Sequence, residues 1–391
     1  MTSRSDPLAL PPVPPPAASL HRWRDAVVAL GFVVALALGG LGALRKPAEL
    51  EFEYRALAPW PPLTFSRAFP GDVERAFADR FGGRATLLRL HHRAMVDLFG
   101  VSPAPNVMIG RDGWLYFLGE DGKALERHYR GTVQITDAEI AAVVAELKRR
   151  AQFLAAHGIP YVVTVVPDKY TIYPEHLPAW VGLLKAPTPL DRLVAALKAD
   201  GSVRFIDLRA PLLAAKARER VYYTSDSHWN MLGAAVGYGA LMDEVQRVLP
   251  AGKLAAIAPI VLPPYVKDVD VYAGDLARLV GFPPRYSEPD YAPFAKVLGD
   301  PSGRCGRRID DGKDVGFEFY ACNKPDLPRA VVYRDSMAIP LIPLLTENFS
   351  RIVYVTSYGL DSALILREKP DVVIQEMVQR SMLSPAALPM R

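Results

Sequence analysis

Three patterns of hydrophobic and polar residues divide this chain. The first is unbroken: residues 26–44 hold 19 positions without a charge, about what one helix needs to cross the hydrocarbon layer of a membrane. The second has a helical period. Between Asp72 and Leu98, the apolar Phe77, Phe81, Leu88, Met95 and Leu98 recur at roughly helical intervals, and Gly82-Gly83 interrupts the run, which predicts two short helices. Thr136 and Glu139 form a capping-box pattern opening another helical stretch through Leu147, Phe153 and Leu154, stopped by Gly158 and Pro160. The third pattern is short and continuous: residues 161–166 are apolar and largely β-branched, as in a strand buried on both faces.

Beyond this point helix and strand patterns alternate. A helical stretch at 190–198 precedes a strand at 203–208, a helix follows at 230–248, and short apolar strands come at 330–333, 352–355 and 371–374 with helical stretches between them. This alternation predicts an α/β domain with a mainly parallel sheet. Ahead of it, residues 107–117 set two apolar runs around a turn containing Asp112-Gly113, the signal of a β-hairpin. Residues 251–326, rich in Pro, Gly, Asp and Tyr, read as an insertion. The expected organisation is a Pro-rich tail over 1–25, a transmembrane helix over 26–44, a linker over 45–64 and one folded domain over 65–391.

Composition and charge change this picture only at the edges. With 391 residues, half of them hydrophobic, the chain can bury a large core. The net charge is +4 with both signs interspersed, so no basic stripe marks a nucleic-acid partner. Arg22 and Arg24 precede the apolar run and Arg45 and Lys46 follow it, leaving orientation to the asymmetry of mass: the short proline-rich tail stays inside and the rest is exported. A signal peptide cleaved after small residues such as Ala35 or Ala37 is the alternative. Cys305 and Cys322 are the only cysteines. In an exported chain they read as a disulfide, and in a cytosolic one as two separate thiols.

Two stretches can carry chemistry. In Thr224-Ser225-Asp226-Ser227-His228-Trp229-Asn230, an extended backbone puts Asp226 and His228 on one side. A carboxylate there can orient an imidazole that takes a proton from a serine. Asn230 is suited to cap the following helix. The alternative is a polar turn with no function. In the second stretch, 330–337, an apolar strand runs into Asp335-Ser336. Nucleophiles of open α/β sheets sit at such strand ends, and the N–H of Ser336 at a helix start can bind an oxyanion. The alternative is that Asp335 or Ser336 merely caps the next helix.

A strand leading into Asp-Ser, with a separate Asp-x-His-Trp, resembles the AlgX/AlgJ family of alginate O-acetyltransferases, whose catalytic domain is SGNH-hydrolase-like. Phe81-Gly82-Gly83-Arg84, the run from Gly110 to Tyr116 and the run from Val166 to Pro174 resemble family segments in the same order. The resemblance implies a three-layer α/β/α domain with a mainly parallel sheet, preceded by one N-terminal transmembrane helix. It assigns Ser336 as nucleophile, His228 as base and Asp226 as its orienting carboxylate. It also implies no cofactor, a polysaccharide acceptor, a membrane-bound O-acyltransferase as acetyl donor, and a single pass through the inner membrane with the catalytic domain in the periplasm.

This chain departs from the family pattern in having Arg334 where Gly usually precedes Asp-Ser. Arg334 either narrows the pocket or binds an acidic sugar. Lys169 and Tyr173, after a strand end, are expected to line the pocket or to be ordinary loop residues. Trp229 is carried as a substrate-binding candidate, with packing as its alternative. His91 and His92 have no acidic partner at ligand spacing, His157 precedes a helix-ending glycine and His176 lies in a Pro-flanked loop, so no metal site is expected. An esterase using the same residues and a non-catalytic glycan-binding subunit of an export complex are the rival functions.

Overall fold

A computed structural model of the chain describes residues 18–42, 56–64, 66–182, 184, 186–250, 272–289, 305, 307–309 and 316–383. The chain forms two compact units, Met1–Ala94 and Met95–Arg391. In the first, helix α1 (Ala18–Gly42) contains the apolar span Trp23–Leu41, long enough to cross a membrane. It begins at Ala18 rather than at Ala26, because helix formation is free to start once the last proline, Pro16, has passed. Residues 43–55 lie outside the described residues, so the expected end of the span at Leu44 and the start of the linker fall there. Helices α2 (Phe69–Arg80) and α3 (Arg84–Phe99) follow, separated where Gly83 takes a φ of 85°, a conformation open to glycine.

The second unit opens with the hairpin β1 (Val107–Ile109) and β2 (Leu115–Phe117), paired antiparallel. Its turn places Asp112 and Gly113 at φ of 57° and 79°, the left-handed region that an Asp-Gly pair tolerates. Next come α4 (Asp137–Ala156), started by the Thr136–Glu139 capping box, then β3 (Tyr161–Val166), α5 (Lys169–Ile172), α6 (Pro189–Asp200) and β4 (Arg204–Asp207). Helix α7 (Arg209–Lys216) leads to α8 (Met231–Val248), capped by Asn230, whose side chain accepts from Gly233 N–H at 3.0 Å. Helix α9 (Asp275–Val280) precedes the strands β5 (Arg307–Arg308), β6 (Phe317–Ala321), β7 (Arg329–Arg334), β8 (Arg351–Thr356) and β9 (Val372–Val378).

Seven strands form one sheet in the order β4-β3-β9-β7-β8-β6-β5. The pairs from β4 to β8 are parallel, and β6 and β5 add on antiparallel at the edge. Side chains alternate across the strands. Ala330 and Val332 of β7 pack with α8 and the segment Met337–Leu345 on one face, while Val331 and Tyr333 pack with α4, α6 and the helix Ser362–Glu368 on the other. The result is the three-layer α/β/α arrangement. Residues 251–271 and 290–304 of the segment read as an insertion lie outside the described residues. Its last part, however, is not an excursion: β6 belongs to the central sheet, its alternating Phe317, Phe319 and Ala321 pairing with β8. The disulfide Cys305–Cys322 closes on the end of that strand.

Helix α8 lies close enough to the preceding loop to limit side-chain size. A Cβ at Gly233 would sit 2.2 Å from the carbonyl oxygen of Val221, whereas one at Gly239 of the same helix would meet nothing. Gly233→Ala is therefore expected to destabilise the protein by roughly 1–3 kcal/mol, while Gly239→Ala is neutral or gains up to about 1 kcal/mol from helix propensity. Denaturation midpoints of the two variants check this, and equal effects would contradict it.

Candidate active site

Strand β7 delivers Asp335 and Ser336 at its carboxyl end, where Ser336 opens a short 3-10 helix, Ser336–Leu341. The turn is fixed by Asp335. Its carboxylate accepts from the N–H groups of Met337 and Val378, both at 2.7 Å, and from the Tyr358 hydroxyl at 2.5 Å. Its own N–H donates to Glu376 Oε2 at 3.0 Å. Asp335 is thus the helix cap, and Ser336, as first helical residue, has an N–H with no carbonyl one turn earlier to bond.

Facing this turn, the loop between α7 and α8 brings in the other two groups. Asp226 Oδ1 lies 2.6 Å from His228 Nδ1, and His228 Nε2 lies 2.8 Å from Ser336 Oγ. The extended loop puts alternate side chains on one side, and Asp226 also accepts from His228 N–H at 2.9 Å. Its second oxygen accepts from the Tyr272 hydroxyl at 2.5 Å and Asp275 N–H at 2.9 Å. Burial works to raise the Asp226 carboxyl, but the hydrogen bond and charge of His228 and the Tyr272 hydroxyl outweigh it and hold it well below the usual carboxylate range. Burial works to lower His228, and the bond to Asp226 outweighs that too, leaving the imidazole above its ordinary value. With Asp226 ionised, Nδ1 carries the proton and Nε2 is free to accept one from Ser336.

Asp226, His228 and Asp275 each bring one ligand atom within 4.8 Å of the others, the one such group among the described residues. The carboxylate oxygens already accept N–H and O–H donors, Asp275 Oδ1 from Ser227 N and Oδ2 from Ser227 Oγ. The cluster is a hydrogen-bond network, and no open coordination shell is formed.

A cavity of about 430 Å³ opens beside Ser336, with Phe117, Arg127, Tyr358 and Arg380 in its walls. The four residues expected to bind substrate are not among those lining it. Lys169, 3% exposed, donates from Nζ to the carbonyls of Tyr223, Thr224 and Asp226 at 2.9, 3.0 and 2.6 Å. The Tyr173 hydroxyl accepts from Val221 N–H, and the buried Trp229 donates from Nε1 to the carbonyl of Met337 at 2.8 Å. Arg334 is also buried: it pairs with Glu318 of β6 and donates to the carbonyl of Asp335. All four turn inward because the loop and the strand end leave buried polar groups that need partners.

Sequence reasoning missed Arg380, Tyr358, Tyr272, Asp275 and Glu288. Arg380 follows the carboxyl end of β9 and pairs with Asp168, so the strand-end rule that singled out Ser336 would have found it. Tyr272, Asp275 and Glu288 lie in the segment read as an insertion. Glu288, 5% exposed, accepts from the N–H groups and hydroxyls of both Thr224 and Ser225 at 2.7–3.0 Å.

Comparison with known proteins gives the family. Residues 107–302 match the model of the SGNH hydrolase-like domain of the acetyltransferase AlgX. The chain belongs to this AlgX family. The matched residues run from β1 through His228 and α9, and Ser336 lies beyond them. The probable alginate O-acetylase AlgJ of Pseudomonas putida is 28% identical over 244 residues, 60% of this chain and 56% of the relative. Its counterpart from Pseudomonas syringae pv. tomato is 27% identical over 299 residues, 71% of this chain and 69% of the relative. The AlgX-family chain thus spans little more than half the length of the first relative. Among solved structures, the O-acetyltransferase domain of Pseudomonas putida AlgJ superposes with a TM-score of 0.44 at 22% identity, covering 71% of this chain and 92% of that one. Bacillus cereus PatB1 gives 0.48 at 16% identity, covering 71% and 97%.

Lys169 supplies the clearest test of how this AlgX-family site is held. Burial pushes its ammonium down, to about 8, yet three carbonyls depend on it. Lys169→Met should cost on the order of 3 kcal/mol, because three buried acceptors lose their donor. Urea midpoints measure the loss, and a variant as stable as the parent would show that the loop is held some other way.

Proposed function

We propose that the chain is an O-acetyltransferase that moves an acetyl group through an acyl-Ser336 intermediate to hydroxyls of an exported polysaccharide, alginate or a similar exopolysaccharide. The hydrogen-bonded line Asp226–His228–Ser336 is the observation that carries this reading. His228 Nε2 takes the proton of Ser336 as its Oγ attacks the acetyl ester, and the Ser336 N–H at the helix start donates to the developing oxyanion. The tetrahedral intermediate collapses, the donor's oxygen leaves with the proton from His228, and acetyl-Ser336 remains. A sugar hydroxyl then gives its proton to His228, attacks the acetyl carbonyl, and Ser336 is regenerated with that proton. Asp226 stays ionised throughout and stabilises the imidazolium.

The apolar span Trp23–Leu41 supports a single-pass anchor in the inner membrane, with the catalytic domain in the periplasm. The AlgJ relatives, by name alginate O-acetylases, support an alginate-like acceptor. A membrane-bound O-acyltransferase as acetyl donor completes the reading, since activated acetyl groups of the cytoplasm must reach the periplasm through the membrane.

Ser336→Ala and His228→Ala should each lower acetyl transfer by about 10⁴-fold or more, and Asp226→Ala by less, as solvent partly replaces an orienting carboxylate. Mass spectrometry after incubation with an activated acetyl ester should find the adduct on Ser336, lost faster when glycan is added. Loss at the same rate in buffer alone would indicate an esterase. Because neutral His228 is the base and its pKa lies above the ordinary 6.5, the rate should fall with decreasing pH through a midpoint above that value.

A further inference from the structure

The imidazole of His228 faces more than one acid. Asp275 opens α9, 49 residues beyond Asp226, and is bound to it: the Asp275 N–H donates to Asp226 Oδ2. The Asp275 carboxylate is clamped by Ser227, whose N–H reaches Oδ1 at 2.7 Å and whose hydroxyl reaches Oδ2 at 2.6 Å. That places Asp275 Oδ2 3.8 Å from His228 Nδ1, with Ser227 Oγ between them at 3.3 Å from the same nitrogen. Nδ1 therefore looks onto three oxygens, Asp226 Oδ1, Ser227 Oγ and Asp275 Oδ2, two of them on carboxylates.

We propose that Asp275 is a second orienting carboxylate for His228, acting directly on the imidazole and through the Ser227 hydroxyl. It is a positioning residue, since it touches neither Ser336 nor the cleft beside it. This deepens the acyl-serine reading and rests on it for its catalytic consequence. When His228 takes a proton from Ser336, the positive charge on the ring faces two carboxylates, so Asp275 stabilises the imidazolium together with Asp226. Burial and the Asp226 anion push the Asp275 carboxyl up, as two neighbouring carboxylates require. Other groups bear on the ring as well. Arg380, from the end of β9, opposes protonation, the Lys169 ammonium beneath bonds the Asp226 carbonyl, and Ser336 Oγ occupies Nε2.

The test is an NMR titration of the His228 imidazole, paired with the pH profile of acetyl transfer. Asp275→Asn keeps the backbone donor to Asp226 and removes the charge, with the Ser227 hydroxyl free to rotate and accept from the new amide. Its imidazole midpoint and the acid limb of the rate should both fall by about one pH unit, and the plateau rate by about 3–10-fold. Asp275→Glu, which restores the charge, should bring the midpoint back towards the parent value. Asp226→Ala/Asp275→Ala should be about 10-fold slower than Asp226→Ala alone. If Asp275→Asn does not fold, Ser227→Ala serves, with a midpoint expected to move in the same direction. A midpoint unchanged in the folded variant overturns the proposal. The titration needs no turnover, so it stands apart from the function: if Ser336→Ala still transferred acetyl groups normally, the acyl-serine reading would fail while the effect of Asp275 on the imidazole could still be read.

Discussion

Residues 221–230 form a loop that is buried almost throughout, and a buried loop must find partners for backbone groups that no helix or strand satisfies. The rest of the site follows from how it does so. Lys169 caps three of its carbonyls from one side, and Glu288 collects the N–H groups and hydroxyls of Thr224 and Ser225 from another. The Tyr173 hydroxyl takes the N–H of Val221, and Trp229 reaches across to the carbonyl of Met337. That last bond matters most for geometry. It ties the strand of chain carrying His228 to the residue next to Ser336, so the 2.8 Å contact between them rests on a buried indole rather than on the two polar groups alone.

The opposite wall obeys the same rule with the charges reversed. Asp335 is ringed by donors, whereas burial and the neighbouring Asp335 carboxylate push the Glu376 carboxyl well above its ordinary value. Arg334 fits the same scheme. Where the resemblance leads one to expect glycine, it turns inward and matches its charge to Glu318 of β6. The antiparallel edge strand thus gives a buried partner to a residue that, seen in sequence alone, is expected either to narrow the pocket or to bind an acidic sugar.

How much could be read from residues in order tracks how local the cause is. The capping box at Thr136, the Asn230 cap, the Asp-Gly turn and the apolar parallel strands are decided within a few neighbours, and sequence placed them within a residue or two, except that β9 runs four residues beyond its expected end at Ile374. The pairing of Asp226 with His228 is equally local, two residues on one extended segment. Strand β6 was hidden because its alternation is brief and lies in a polar stretch. Lys169 and Tyr173 follow a strand end as expected, but their direction is set by carbonyls and N–H groups about fifty residues away, which no local pattern announces. Tyr272, Asp275 and Glu288 likewise gain meaning only once the fold returns them to the loop.

The charges around His228 show what this non-local assembly achieves. Asp226 and Asp275 favour a proton on the ring, while burial and Arg380 disfavour it. Arg380 is itself held by Asp168, and the other arginine in the cleft wall, Arg127, by Asp121. Each arginine of the cleft wall is therefore paired with a carboxylate before any ligand arrives. A base poised in this way is sensitive to single charges some ångströms away and insensitive to the sheet beneath it. Replacing Asp226, Asp275 or Arg380 shifts the balance at the imidazole, whereas the core that positions them can tolerate changes that conserve volume.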